Sequence, residues 1–405
     1  MGRRTMRKKA FFFTTAVAAL VLLMTFQTYA QSKRGITDDT VRFGLIADTT
    51  GPVAALGKDL LLGCQDYFNE LNERGGVHGR KVKLLHEDDQ YQIPKALAAF
   101  EKLVFKDEVL GIFHCGGTPQ TLALLPKIAS EKVPVIPPGE YEKMFKPYQR
   151  YVFLFGSTYA DQAACAIDYM MHELKAVNPK VGIVYMTTEA GKQIATATKQ
   201  RLEAYKLKPV AEVELPLGSV DASSQVMSMQ KANAEYVMLA ELPPAVINFL
   251  RTATKFAYNP TYLSYTWCAD DSIVKATGNS AKNGYYAASI FGSWHDDTPG
   301  GKHLRSIASK YGHGTPALPS LYIQGYTYGA ILEEGLKRAG RDLTVEKLVD
   351  AWETFKDFDC GGMLSPMTYT PTYHPPSPYS RIFKADTAKG ELISATGWIK
   401  VRELK

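Results

Sequence analysis

The chain has no apolar run long enough to cross a bilayer, no Cys-x-x-Cys pair and, past its first thirty residues, no excess of either charge. Each absence closes a class. The longest apolar stretch, Ala10 to Met24, is about 15 residues, short of the roughly 18 to 20 a spanning helix needs. It follows Arg3, Arg4, Arg7, Lys8 and Lys9 and ends near Thr28-Tyr29-Ala30, the pattern of a cleaved export signal over residues 1–30. Those five basic residues take the net charge from +6 to +1 when removed, so charge offers nothing to a nucleic-acid partner. Five cysteines, Cys64, Cys115, Cys165, Cys268 and Cys360, stand far apart, with no Cys and His at zinc-site spacing. No metal is expected. An odd number leaves at least one thiol free or intermolecular, and the sequence does not choose the pairs. No cysteine precedes Cys64 to carry a lipid after cleavage, so a soluble exported protein is expected. The nucleophile, zinc-protease and dinucleotide signatures GxSxG, HExxH and GxGxxG are also missing, which favours binding over catalysis, with no cofactor.

What is there is an alternation of short β-rich runs and longer amphipathic ones. VRFGLIA (41–47), KVKLLHE (81–87), VLGIFHC (109–115) and VPVIP (133–137) read as strands. Between them lie a helix stopped by Gly75-Gly76 and two more, 94–105 and 119–130, that begin at or beside prolines suited to a first helical turn. After YVFLFGSTY (151–159) the alternation restarts, with strands at 181–187, 209–215, 234–241, 260–267 and 284–291 and helices at 160–177, 192–206 and 243–256. Two similar α/β halves are implied, each a parallel sheet with helices on both faces. Helices at 303–311, 320–339 and 344–352 then follow in succession, before an extended stretch. Helices returning to the first half and strands finishing the second fit that order.

The segment HCGGTPQTLAL (114–124) joins a strand to a helix. In a strand His114 and Cys115 point to opposite faces, so a thiolate–imidazolium pair is a poor reading and a packed cysteine a better one. A phosphate loop needs Lys and Ser/Thr after its last glycine, where this chain has Thr-Pro-Gln. Thr118 as helix cap, Pro119 in the first turn and two glycines that admit a ligand to the amides make a third reading. An ordinary strand–turn–helix junction explains the segment equally well. DTTGPVAALGKD (48–59) and IPPGEYEKMF (136–145) are further junctions, the latter supplying Gly139, Glu140 and Tyr141. In an open parallel sheet ligands bind beyond the carboxyl ends of the strands, where all three lie. The second half offers Glu189, Glu241, Trp267 and Asp270 at equivalent places. Singly these are solvated carboxylates and a core tryptophan. Their recurrence in both halves gives them weight, and Glu241 is positioned either to hold a ligand cation or to pair with a nearby base.

The order of these motifs, from VRFGLIADTTGPVAALGKDLLLGCQDYFNELNERGGVHGRKVKLLHEDDQ to GIFHCGGTPQTLALLPKIASEKVPVIPPGE, resembles the periplasmic leucine/isoleucine/valine-binding type of ABC-transporter solute receptor. The resemblance covers essentially everything from Gly35 onward. It implies two lobes, residues 36–156 with 288–360 and 157–287 with 361–405, joined by crossings near 156, 288 and 360, with ligand between them. It implies a ligand held by Gly116, Gly117 and Thr118 and by Gly139, Glu140 and Tyr141 of lobe one, and by lobe two around Tyr159, Glu189, Glu241 and Trp267. It implies a monomeric periplasmic protein, no enzyme, that takes a small organic solute such as a branched-chain or aromatic amino acid to the membrane subunits of an ABC permease. A ligand sensor without transport, or a receptor for a non-amino-acid aromatic carboxylate or amide, is the alternative. The chain departs from the family where it places Gly116 and Tyr141 in positions often held by Ser or Thr, and Leu56 where an aromatic is usual. A family disulfide from the position of Cys115 has no partner in EDDQYQIP.

Overall fold

The computed structural model describes residues 33–139, 141–313 and 317–404. The expected export signal and Glu140 lie outside the described residues.

The first sheet is built from β1 (Thr40–Ile46), α1 (Ala54–Glu73), β2 (Lys81–Glu87), α2 (Ile93–Glu101), β3 (Ile112–Phe113), α3 (Thr118–Glu131) and β4 (Val135–Ile136). Its strand order is β2-β1-β3-β4, with every pairing parallel. β1 lies inside the sheet with helices on both faces, so Phe43, Gly44, Leu45 and Ile46 are buried in succession. The expected strands at 109–115 and 133–137 shorten to two residues each. One reason is local: His114 (φ 69°), Cys115 (φ 51°) and Gly116 (φ 76°) turn left-handed in succession, which ends β3 at Phe113.

The second sheet draws on α4 (Tyr159–His172), β5 (Val181–Tyr185), α5 (Glu189–Ala204), β6 (Ala211–Glu214), α6 (Ser223–Lys231), β7 (Tyr236–Ala240), α7 (Pro243–Lys255), β8 (Thr261–Ser264), α8 (Asp271–Thr277) and β9 (Tyr285–Ser289). The chain then returns to the first lobe as α9 (Pro299–Lys310), α10 (Ser320–Ala339) and α11 (Val345–Trp352), and comes back to the second as β10 (Arg381–Asp386) and β11 (Glu391–Ser394). The second sheet runs β11-β10-β9-β8-β7-β5-β6, parallel from β6 to β9. β10 and β11 are antiparallel additions, because the chain re-enters from the other lobe and then folds back in a hairpin. These are two doubly wound, predominantly parallel lobes, as the alternation implies.

α10 is buried over nearly its whole length against α1. Glycine makes this possible: a Cβ on Gly63 would lie 2.2 Å from the Tyr322 carbonyl oxygen, and one on Gly325 2.3 Å from that of Leu60. The two backbones touch. After α11, Tyr369 Oη donates to the Leu154 carbonyl at 2.5 Å and His374 stacks on Phe153 at 4.0 Å. Those contacts hold the chain on lobe one until Ser380, whose hydroxyl meets that of Ser157 at 2.7 Å where the first crossing leaves.

Candidate functional site

A cavity of about 60 Å³ lies between the lobes, at the carboxyl ends of both sheets. Lobe one contributes Asp48, Val53, Leu56, Tyr91, His114 and Pro138, together with the Gly116–Thr118 turn and Leu321 from α10. Tyr159, Met186, Ala190, Leu242 and Trp267 come from the other side. Most of this wall is aliphatic or aromatic. Val53 and Leu242 are the N-caps of α1 and α7, Thr118 and Tyr159 the first residues of α3 and α4, and Ala190 and Leu321 the second residues of α5 and α10. Six helices therefore begin at one cavity.

The Gly116–Thr118 turn is arranged differently from its sequence reading. The N-cap of α3 is Gly117, and Thr118 is already the first helical residue. Gly117 donates its amide to the Gln120 side-chain oxygen at 3.0 Å, and Gly116 donates to the Ile46 carbonyl at 2.9 Å. Neither amide is left for a ligand. Thr118 keeps an amide and a hydroxyl that no described residue engages. The glycines instead make room for lobe one itself: a Cβ at 116 would lie 2.4 Å from Asp89 Oδ2, and one at 117 2.6 Å from the Tyr91 ring. His114 is no longer on a strand, and burial pulls its pKa down to about 3, so the imidazole is neutral. Cys115 is 0% exposed, and burial pushes its thiol pKa up, away from the reactive thiolate. All five cysteines are free and buried.

Asp48, at the end of β1, organises the loop into α1. Its Oδ1 accepts from the amides of Thr50 and Gly51 and its Oδ2 from Val53 at 2.9 Å. Across the cleft, Tyr141 Oη donates to Glu189 Oε2 at 3.1 Å, joining the loop after β4 of lobe one to the start of α5 in lobe two. The lobes are thus in contact across the cleft. Trp267 Nε1 donates to Tyr159 Oη at 3.0 Å, and a Cβ on Gly139 would lie 1.8 Å from that same oxygen.

Glu241 follows β7 but does not line the cavity; its neighbour Leu242 does. Glu241 is 0% exposed and neither carboxyl oxygen has a partner, so neither expected role, a base partner or a ligand cation, is filled in the structure. Burial raises its pKa to about 9 and keeps it protonated at neutral pH. Of the sequence-expected residues, Gly116, Gly117, Thr118, Tyr159 and Trp267 line the cavity. Gly139 abuts Tyr159, and Tyr141 and Glu189 bridge the lobes. Asp270 lies aside, accepting from the Ser272 and Ser320 amides. Sequence reasoning passed over Tyr91 and Leu321, which reach the cleft from a loop and a helix without a motif, and treated His114 only as a possible catalytic partner.

A profile of the family described as periplasmic binding protein matches residues 40–391. The chain belongs to the periplasmic binding protein family. This is a family of non-enzymatic receptors. Among curated relatives, the chain is 23% identical over 239 residues to an amino acid binding protein of Pseudomonas aeruginosa, covering 59% of this chain and 63% of that protein. It is 23% identical over 256 residues to the Leu/Ile/Val-binding protein of Escherichia coli, covering 62% and 68%. The match to the first relative thus spans less than two thirds of its length. Solved structures align more fully. A fatty acid ABC transporter substrate-binding protein from Thermomonospora curvata superposes with a TM-score of 0.82 at 25% identity, covering 91% of this chain and 94% of its own. A branched chain amino acid ABC transporter structure from Thermus thermophilus with bound valine gives 0.81 at 23%, covering 89% and 97%. The second likeness establishes the two-lobe fold alone.

Proposed function

We propose that this protein is the periplasmic solute receptor of an ABC importer, closing its two lobes on a small organic molecule and presenting the closed form to the permease. The observation that carries this reading is the placement of an apolar cavity between the lobes, with Tyr141 and Glu189 in contact across it. A ligand touching both walls stabilises the closed form by its differential contacts with the two states. Family membership supports a receptor in place of an enzyme, and likeness to substrate-binding proteins of ABC transporters supports the permease partner. In this reading Thr118, Tyr159, Trp267, Tyr91, Met186 and Leu242 meet the ligand, Gly116 and Gly117 shape the wall behind it, and Tyr141 and Glu189 latch the mouth. The protein acts as an exported monomer. A thermal-shift screen over amino acids, fatty acids and aromatic acids, followed by small-angle scattering, tests it. A binding solute is expected to raise Tm by several degrees and to compact the molecule. A library in which no solute does either defeats the reading.

A further inference from the structure

We infer that the cleft takes a largely apolar molecule bearing an oxygen function and discriminates against the ammonium group of an α-amino acid. This rests on the receptor reading and names its substrate class. The argument begins with the six helix starts. Val53, Thr118, Tyr159, Ala190, Leu242 and Leu321 bring to one cavity the ends of α1, α3, α4, α5, α7 and α10 that carry partial positive charge. Such a ring draws an electron-rich oxygen and repels an ammonium.

The side chains do not reverse that field. An ammonium needs acceptors in a space walled by aliphatic and aromatic groups, and burying it without them is unfavourable. Asp48 is the carboxylate on the wall, and its oxygens already accept from the amides of Thr50, Gly51 and Val53. Asp89 and Glu241 are fully buried and outside the lining. Burial raises the Glu241 pKa to about 9, which leaves it neutral at pH 7, while Asp89, raised only to about 6, stays behind Gly116 and off the wall. Thr118, by contrast, offers an unengaged amide and hydroxyl at the start of α3, two donors suited to a carbonyl, hydroxyl or carboxylate oxygen.

The test is calorimetry on the purified protein with matched sets: L-leucine, 4-methylpentanoate and 4-methylpentanamide; L-phenylalanine, 3-phenylpropanoate and 3-phenylpropanamide. In at least one set the compounds lacking the amino group are expected to bind at least about tenfold more tightly than the amino acid. Preference between acid and amide identifies which oxygen function is held, and either supports the inference. An amino acid that binds more tightly than both its counterparts overturns the inference while leaving the receptor reading standing. So does tight binding of choline, a cation that Tyr91, Tyr159 and Trp267 would hold by their ring faces. If none of these compounds binds, the inference falls; the receptor reading falls with it only if the wider screen is also silent. Thr118→Val is expected to weaken the preferred compound by about tenfold, and Glu241→Gln to leave the order of affinities unchanged. Loss of amino-acid binding on Glu241→Gln would identify Glu241 as an ammonium partner and overturn the inference.

Discussion

Asp48 and Glu241 each follow a buried strand that ends at the cleft, one in each lobe, and the protein treats them in opposite ways. Asp48 is met by three loop amides and serves as a knot in the chain. Glu241 has no partner on either oxygen, and its surroundings keep it neutral. Asp48 is the second residue after β1 and Glu241 the first after β7, and the loops that follow differ as well. After β1 the chain makes a turn whose amides point back at the carboxylate, whereas after β7 the chain enters α7 through Leu242 and Pro243, and proline has no amide to give. A carboxylate at a strand end is thus partnered or left alone according to the donors that the next few residues turn toward it.

That contrast is open to direct attack. The largest expected effect is on Glu241. Its pKa in the folded protein, about 9, lies above the ordinary 4.5, so stability tied to its neutral form is complete below the lower value and is lost as pH rises toward the higher. Wild type should lose about 1.4 kcal/mol per pH unit relative to Glu241→Gln across that window, roughly 4 kcal/mol between pH 5 and pH 8. Urea unfolding of both proteins at three pH values measures it, and a difference independent of pH would erase the distinction between the two carboxyls. Next is Asp48→Ala, which strands three amides; a loss of about 3 kcal/mol is expected in the same assay. A loss below about 0.5 kcal/mol would mean that the knot is ornamental. The smallest effect is at the contact between the lobes. Tyr141→Phe removes one hydrogen bond present only when they meet, about 1 kcal/mol, so affinity for a bound solute should fall about fivefold while the ligand-free Tm stays put. A drop in the ligand-free Tm instead would place that bond in lobe stability.

Much of the architecture was readable from pattern. β2 matches its sequence reading to the residue. α10 also matches, bounded by Pro319 and Gly340. α6 and α8 were missed: SSQVMSMQK is short with a weak apolar face, and DSIVKAT is barely two turns. At the site, the edge of the sheets was legible and the roles were not. Gly116 and Gly117 were read as room for a ligand, yet Asp89 and Tyr91 take that room. Which side chain folds over a glycine is a tertiary fact with no local signature. Leu321 likewise reaches the cleft from a helix some two hundred residues beyond Thr118, brought there by the packing of α10 on α1 and by Tyr328 stacking on Phe113 at the end of β3.

The glycine contact between α1 and α10 has a bearing on how this receptor changes its tastes. Leu56 sits on α1 and Leu321 on α10, and the helices that carry them are locked backbone to backbone at Gly63 and Gly325. Neither helix can retreat to admit a bulkier neighbour without prising apart the other. Across the cleft the same device holds Met186 to the start of α5, where Ala190 sits: a Cβ on Gly191 would lie 2.2 Å from the Met186 carbonyl oxygen. A larger side chain at Leu56 or Leu321 must therefore take its room from the cavity, because the helix behind it has none to give.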